Sequence, residues 1–224
     1  MTDLINSILL AIHIFPFFAI SFTLPILLIS IIRYKKINFV RITLNYMTMF
    51  YFLSVICLVF FPLPLATQLS SLHHHNSQLI PFHFVCDILR ESPLVINNPN
   101  TYLPAITNRA VLQVVLNVLM TLPFGILLRF YHGLNFKKVL LFSFLLSLFI
   151  EIGQLTGLFF IYPGSYRLCD VDDLLANTMG GYLGYKLVYL FESYIPNIHS
   201  FDLVLPSYLP FHKSQFVLRN NLNH

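Results

Sequence analysis

A bundle of about five transmembrane helices is the fold class that the sequence predicts, and three observations support this all-α membrane architecture. Hydrophobic residues make up 57% of the 224 residues and charged residues 10%, whereas soluble domains carry about 25% charged residues. The mean hydropathy is +0.74. The stretches 4–32, 42–86 and 110–128 contain no Asp, Glu, Lys or Arg. Because roughly 18 to 20 apolar residues cross a bilayer core as a helix, each stretch has room for a span.

The predicted helices follow in chain order. The first is too long for a signal peptide and lacks a basic start, so we expect it to remain as a span, kinked at Pro16 and Pro25. The second and third occupy the next two uncharged stretches. The fourth is interrupted only by Glu151, and the fifth begins around Asp173. The predicted cores cover about 7–32, 44–65, 110–130, 139–161 and 171–195.

Basic residues in the connections predict the orientation, because Lys and Arg concentrate in cytoplasmic loops. The N-terminus and the loops 66–109 and 162–170 are expected outside, and the C-terminus inside. The predicted divisions are two N-terminal spans over 1–65, a three-helix core with its outer loop over 66–195, and a cytoplasmic tail over 196–224. The basic residues are Arg33, Lys35, Lys36 and Arg41 in the first connection, and Arg129, Lys137 and Lys138 in the third.

The formal net charge of +4 is spread over these loops. A nucleic-acid partner would instead favour a concentrated basic surface with interleaved aromatic residues. The lipid bilayer is therefore the expected partner, and nucleic acid is not.

Polar side chains recur where the membrane makes them costly. Glu151 lies near the middle of the fourth span, and Gln154 shares its face. An ionisable residue at such a depth is expected to be neutral, paired or facing water, and it marks a functional site by default. The third and fifth helices carry polar stripes of their own, so we expect the three faces to meet in the interior. These stripes consist of Gln113, Asn117 and Thr121, and of Asp173, Asn177, Gly180 and Gly184.

Three carboxylates, Asp170, Asp172 and Asp173, stand at the predicted start of the fifth helix, and Arg167 precedes them. An Asp at this position caps free N–H groups and complements the helix dipole. Arg167 is expected to pair with one of them or with Glu151. A purely structural interpretation stays open, in which the acids cap the helix and the buried amides join helices.

The segments "IEIGQLTGLFFIYPGSYRLCDVDDLLANTMGGYLGY", "LIPFHFVCDI" and "LNVLMTLPFGILL" resemble the VanZ-like membrane family. The resemblance covers about 79–185 and implies that 66–195 is a VanZ-like core. It implies an integral, multi-pass protein of the bacterial cell membrane associated with resistance to the glycopeptide teicoplanin, and it assigns no catalytic residue. The residues that carry it are Glu151, Gln154, Arg167, Asp170, Asp172, Asp173, Leu174, Asn177, Thr178, Gly180, Gly181, Gly184 and Tyr185, with Asn117, Pro123, Phe124 and Gly125 upstream.

Three functions compete, and whether the protein is an enzyme stays open. The first is binding of a lipid-linked cell-wall precursor or a glycopeptide antibiotic at the outer leaflet. The second is an intramembrane enzyme that acts on an envelope lipid or peptide, with Glu151 and Asp173 as catalytic residues. The third is a small transporter. The predicted binding residues are Asn117, Gln154, Arg167, Asp170, Asp172 and Asn177.

The sequence predicts no metal site and leaves the cofactor unknown. His73, His74 and His75 are consecutive, so they do not match the ligand spacing of a zinc site. Mg²⁺ enters only with the enzyme hypothesis, in which Asp170, Asp172 and Asp173 would hold it through oxygen atoms.

Overall fold

A computed structural model describes residues 2–34, 36–64, 77–165, 167–194, 196 and 198–204 of the chain. The histidines at 73–75 and the tail from 205 onward lie outside the described residues. Within the described ranges the fold is helical, apart from two strands of two residues each. The prediction of an all-α fold built on five long helices is confirmed.

The elements follow the predicted order, with additional short helices in the loops. The five long helices are α1 (Thr2–Tyr34), α2 (Phe39–Phe60), α5 (Arg109–Phe130), α6 (Phe136–Leu155) and α8 (Val171–Phe191). The short ones are α3 (His83–Glu91), α4 (Tyr102–Ile106) and α7 (Gly157–Phe160), with 3-10 turns at Pro99–Thr101 and Ile198–Phe201 and strands β1 (Lys36–Ile37) and β2 (Leu203–Val204).

Four helices are long and apolar enough to cross a membrane, namely α1, α2, α5 and α6. The helix α8 has 21 residues, about 32 Å at 1.5 Å per residue, which is also enough to span. Its two first-turn aspartates, its asparagine and its glycines make it less apolar than the others. Its place as a fifth span, and the orientation of the chain, stay predictions.

Two helices end earlier than predicted, and the following residues explain why. The helix α2 ends at Phe60 and not near 65, because Pro62 and Pro64 follow and proline has no N–H to donate to the helix. The helix α6 ends at Leu155 and not near 161. From Gly157 to Phe160 every φ is positive, and a left-handed backbone cannot continue a right-handed helix.

The chain divides into two compact units, of which the first comprises residues 1–58 and 193–224. Within it, α1 and α2 are joined by a hydrogen bond of 2.7 Å between the Thr23 and Tyr46 hydroxyls and by an edge-to-face contact of Phe15 with Phe50. The strand β1 pairs antiparallel with β2. The loop between α1 and α2 is thereby attached to the segment that follows the last helix.

The second unit comprises residues 59–192, and α8 packs in it against α5 and α6. Asn117 of α5 contacts Asp173 near the start of α8, whereas Arg129 contacts Glu192 beyond its end. The two helices therefore run parallel. The side chain of Ser147 of α6 meets Asn177, and Glu151 meets Asp170, so α6 runs antiparallel to α8.

Glycine permits the close approach of α5 and α8. A Cβ added at Gly180 would overlap the Val118 carbonyl, and one added at Gly184 would overlap the Leu122 carbonyl. Small residues at such contacts let membrane helices pack backbone against backbone. This packing brings the polar faces of α5, α6 and α8 together.

Candidate functional site

The candidate site lies where the start of α8 meets the last turns of α6 and the segment before α3. Glu151 is 4% exposed, and its Oε2 accepts a hydrogen bond of 3.0 Å from the Asp170 backbone N–H. Glu151, near the end of α6, thus binds the residue that directly precedes α8. Burial and a backbone hydrogen bond are the combination expected of an interior carboxylate.

Asp170 is the N-cap residue of α8. Its Oδ1 accepts the backbone N–H of Asp172 at 2.9 Å, which satisfies one of the free donors at the start of the helix. The backbone around it also pairs with the upstream segment, since Gln78 N–H donates to the Cys169 carbonyl and Val171 N–H donates to the Gln78 carbonyl. The start of α8 is therefore attached to the segment that leads into α3.

Asp172 extends that attachment. Its Oδ1 accepts the Phe82 N–H at 2.6 Å, and its Oδ2 accepts the Phe84 N–H at 2.8 Å. The side chain is 4% exposed, and both of its oxygens bind the first turn of α3. Asp172 accordingly acts as a remote cap for a helix that lies about 90 residues earlier in the sequence.

Asp173 faces α5. Its Oδ1 accepts hydrogen bonds from Gln113 Nε2 at 3.2 Å and from Asn117 Nδ2 at 2.5 Å. The polar stripe of α5 continues one turn further, where Thr121 donates its hydroxyl to the Asn177 carbonyl at 2.6 Å. The α5 stripe therefore pairs with α8 along its length.

Asn177 is 1% exposed and lies among all three helices. Its Nδ2 donates to the Ser147 hydroxyl at 3.0 Å. Within the described ranges its Oδ1 is a buried acceptor without a hydrogen-bond partner, as is the Ser143 hydroxyl. Such atoms cost folding free energy, about 1–3 kcal/mol each.

Gln154 and Arg167 connect the site to the end of α2. Gln154 Nε2 donates to the Val59 carbonyl at 3.4 Å, and Arg167 Nη2 donates to the Phe61 carbonyl at 2.7 Å. Ser165 adds a hydrogen bond from its hydroxyl to the Gln154 carbonyl at 3.1 Å. Val59 and Phe61, at the end of α2 and directly after it, are thereby joined to α6 and to the connection before α8.

The expected meeting of polar faces is realised, but with different partners. The simplest way for these faces to meet would join Glu151, Gln154, Asn117 and Asn177 to one another. In the described part of the chain they bind Asp170, Val59, Asp173 and Ser147 instead. The interior amides thus join neighbouring elements pairwise.

Two groups just before the start of α8 have perturbed acidities. Burial raises the pKa of Asp170 above its usual range, and the hydrogen bond from the Asp172 N–H opposes this shift. Burial and the neighbouring Glu151 raise the pKa of the Cys169 thiol to about 11. Cys169 is therefore a neutral thiol at pH 7, which does not favour a thiolate nucleophile.

A metal site finds no support in the part of the chain that the structure describes, where no three His, Cys, Asp or Glu side chains are grouped to hold an ion. Asp170, Asp172 and Asp173 turn to α8 itself, to α3 and to α5 respectively. Because the three carboxylates diverge, they do not offer Mg²⁺ a common set of oxygens.

Sequence reasoning missed three contributors to the site. Ser147 lies four residues before Glu151, and Ser143 four residues before Ser147, so the α6 stripe is longer than the Glu151 and Gln154 pair that was singled out. This spacing was a usable signal, since residues four apart share a helix face. Gln78 gave no comparable signal, because its contacts with 169 and 171 are made by its backbone.

One comparison with known proteins gave a match. The chain matches a family model described as VanZ/LLP1 over residues 48–192. Neither curated proteins nor solved structures gave a match. The matched range begins within α2 and ends just beyond α8, so it contains every residue of the candidate site.

Proposed function

Because the chain belongs to the VanZ/LLP1 family, which is associated with glycopeptide resistance, we propose that it protects a bacterial cell envelope against teicoplanin. It does so from the cell membrane, as a multi-pass protein, by binding a lipid-linked cell-wall intermediate or a lipid-tailed glycopeptide at the outer leaflet. The positive-inside rule puts the candidate site at the outer end of the bundle. A ligand anchored in that leaflet reaches this end by lateral diffusion.

The observation that carries the proposal is the concentration of acids at one end of α6 and α8. The whole chain has nine acidic residues, and Glu151, Asp170, Asp172 and Asp173 all lie at this end. Asp170 and Asp172 have structural tasks, because they cap α8 and α3. Glu151 and Asp173 accept hydrogen bonds from other elements, and packing three helices together does not require two ionisable side chains.

The predicted binding residues divide by exposure. Arg167 and Asn117 are half-buried and suit direct contact with a ligand, the arginine with a phosphate or carboxylate and the amide with a hydroxyl or carbonyl. Gln154 and Asn177 are buried, so they position the helices that carry the contacts. Asp170 and Asp172 hold the starts of α8 and α3 in place through the backbone hydrogen bonds that they accept.

The second candidate function is an intramembrane enzyme, and the presence of two carboxyl groups with different hydrogen-bond partners at one end of the helices favours it. Two carboxylates in different surroundings can divide the roles of general acid and general base. Glu151 is hydrogen-bonded by a backbone amide and Asp173 by two side-chain amides. The substrate would be an envelope lipid or peptide.

Teicoplanin susceptibility in a strain that lacks the protein tests the proposal. The strain is complemented with the wild type, Glu151→Gln, Arg167→Ala or Asp173→Asn, and membrane levels are followed by blotting. Lys186→Ala is the matched control, because Lys186 is exposed near the other end of α8. We expect the three site variants to be present but to lose protection, while the control protects. Protection by all three variants would overturn the proposal.

A binding measurement separates the two functions. Purified protein is titrated with a fluorescent lipid-linked cell-wall precursor and with teicoplanin, and envelope lipids of the strains are compared by mass spectrometry. Binding that weakens about tenfold in Arg167→Ala, with unchanged lipids in every strain, supports the binding function. A lipid product that disappears in Glu151→Gln supports the enzyme. Uptake of the fluorescent precursor or of teicoplanin, without binding at the outer face, would indicate the transporter.

A further inference from the structure

The helix α3 has an apolar face that is exposed. Its nine residues read HFVCDILRE, and none of them is buried. The exposed fractions are 63% for Phe82, 42% for Val85 and 75% for Leu89, and Cys86 is exposed as well. Val85, Cys86 and Leu89 share one face of the helix by their spacing, and the exposed N-cap residue Phe82 directly precedes the helix. We call this set the α3 apolar face.

The charged residues of α3 lie on a different side. His83 and Asp87 pair at 3.0 Å, and Glu91 pairs with Arg109 of α5 at 3.4 Å. At 100° per residue the side of His83, Asp87 and Glu91 is turned by about 150° from the apolar face, and Arg90 lies at the edge of this charged side. The half-buried Phe84 and Ile88 form a third side. A helix so divided, with its apolar face turned away from the protein, has the pattern of an interfacial membrane helix.

The position of α3 beside α5 and α8 indicates that lipid covers the α3 apolar face. Asp172 binds the N–H groups of Phe82 and Phe84, so α3 begins beside the first turn of α8. The helix also contacts α5, whose exposed side chains Val115, Leu116 and Leu119 are apolar. The helix α3 thus lies beside a helix that is suited to span the membrane and that exposes apolar side chains of its own.

We propose that α3 lies in the membrane interface, with Phe82, Val85, Cys86 and Leu89 inserted among the acyl chains and the charged side turned to the headgroups. The helix rests on the membrane and does not cross it, because nine residues extend only about 14 Å. This inference does not rest on the proposed function, since it requires only that the bundle is embedded. It makes Asp172 a positioning residue that couples the depth of α3 to the start of α8.

Tryptophan fluorescence tests the insertion, because the chain contains no tryptophan. Val85→Trp and Leu89→Trp place one fluorophore on the α3 apolar face of the full-length protein, with all cysteines retained. Asp87→Trp is the matched control on the charged side. Each protein is reconstituted into vesicles of phosphatidylethanolamine and phosphatidylglycerol, with or without brominated acyl chains, and is titrated with acrylamide.

We expect brominated lipid to quench Val85→Trp and Leu89→Trp at least twofold more than Asp87→Trp, and acrylamide to show the reverse order. Strong acrylamide quenching at 85 and 89 would place the face in water and overturn the proposal. Protection of both positions from both quenchers would overturn it too, since a second copy or another protein would then cover the face. A variant that folds poorly is recognised by its elution profile, and the other position then decides.

Discussion

Four carboxylates of the same end of the bundle accept hydrogen bonds from four different sources. Glu151 binds the backbone of Asp170, and Asp170 binds the first turn of its own helix. Asp172 binds the first turn of α3, and Asp173 binds two amides of α5. The three aspartates lie within four residues of one another, but together with Glu151 they serve three different helices. Single substitutions at this end are therefore expected to have separable effects.

Asp172→Asn tests the attachment of α3. Asparagine retains one acceptor oxygen, but its amide group confronts the N–H of Phe82 or Phe84. Loss of a hydrogen bond to a charged acceptor costs about 1.5–3 kcal/mol, so we expect amide hydrogen exchange around residues 82–91 to become about ten- to a hundredfold faster. Hydrogen exchange with mass spectrometry measures this rate. Unchanged exchange in 82–91 would show that Asp172 does not hold the helix.

Asp170→Asn and Asp170→Ala distinguish the effect of helix capping on stability from the effect of the Asp170 charge. Asparagine caps a helix as well as aspartate does, whereas alanine costs about 1 kcal/mol, so we expect only Asp170→Ala to lower thermal stability at pH 7. The folded-state pKa of Asp170 is raised. The resulting stabilisation is fully present below the unfolded-state pKa and is lost as the pH rises through the folded-state pKa.

The pH dependence follows from this sign. On acidification below neutral pH, wild type is expected to gain stability relative to Asp170→Asn, because only the wild type takes up the proton. Thermal unfolding in detergent at several pH values measures the difference. A difference that does not vary with pH, or that varies in the opposite direction, would contradict the assigned shift.

At the scale of elements, α5 and α8 form the structural centre of the second unit. They run parallel, with glycine against backbone in the middle and polar contacts near both ends. Near the C-terminal ends of both helices, the Arg129 guanidinium donates to the Glu192 carboxylate and lies 5.4 Å from the centre of the Tyr185 ring. These contacts fix which turns of the two helices face each other.

Gly184→Leu is expected to separate α5 from α8. A side chain at this position overlaps the Leu122 carbonyl, and backbone atoms cannot yield as a flexible side chain does. Overpacking costs about 1–3 kcal/mol or more, so we expect lower membrane levels and a melting temperature several degrees below that of the wild type. Leu183→Ala is the control, because Leu183 is exposed on the same helix. Equal melting temperatures would exclude the close contact.

At the scale of the whole molecule, the segment after the last helix is attached to the first connection. Asn38 Nδ2 donates to the Ile198 carbonyl and to Asp202, and Arg41 pairs with Asp202 at 3.3 Å. Both partners of the ion pair are almost fully buried, and β1 pairs with β2 beside them. Two segments joined in this way have to lie on one side of the membrane, as the basic residues predict for the inside.

Cysteine labelling in intact cells tests the orientation. Both proteins carry Cys57→Ala, Cys86→Ala and Cys169→Ala, so each reports one introduced cysteine. A cysteine introduced as Asn97→Cys, at an exposed position of the predicted outer loop, is expected to react with a membrane-impermeant maleimide added outside, whereas one introduced as His132→Cys is expected to react only after lysis. Labelling of His132→Cys in intact cells, or of Asn97→Cys only after lysis, would reverse the predicted orientation.

Much of this architecture was predictable from local composition. Long uncharged stretches determine where the spanning helices form, because an unpaired charge or an unsatisfied backbone is costly in lipid. The positions of α1, α5 and α6 follow from that constraint. The family segments of the sequence likewise predict a site around Glu151, Arg167 and the three aspartates, and this stays a prediction. The end of α2 depends on the prolines that follow it, which can be recognised in the sequence. The end of α6 depends on a left-handed turn, which the sequence did not indicate.

Other features depended on contacts between distant residues. No helix was predicted between 66 and 109, yet α3 forms there. Asp172, about 90 residues later in the sequence, binds the N–H groups of its first turn. The sequence by itself determined the helical membrane fold and the identity of the polar residues, because hydropathy and helical spacing are local properties. Only the tertiary structure decided which group each polar side chain binds, because that depends on the register of α5, α6 and α8.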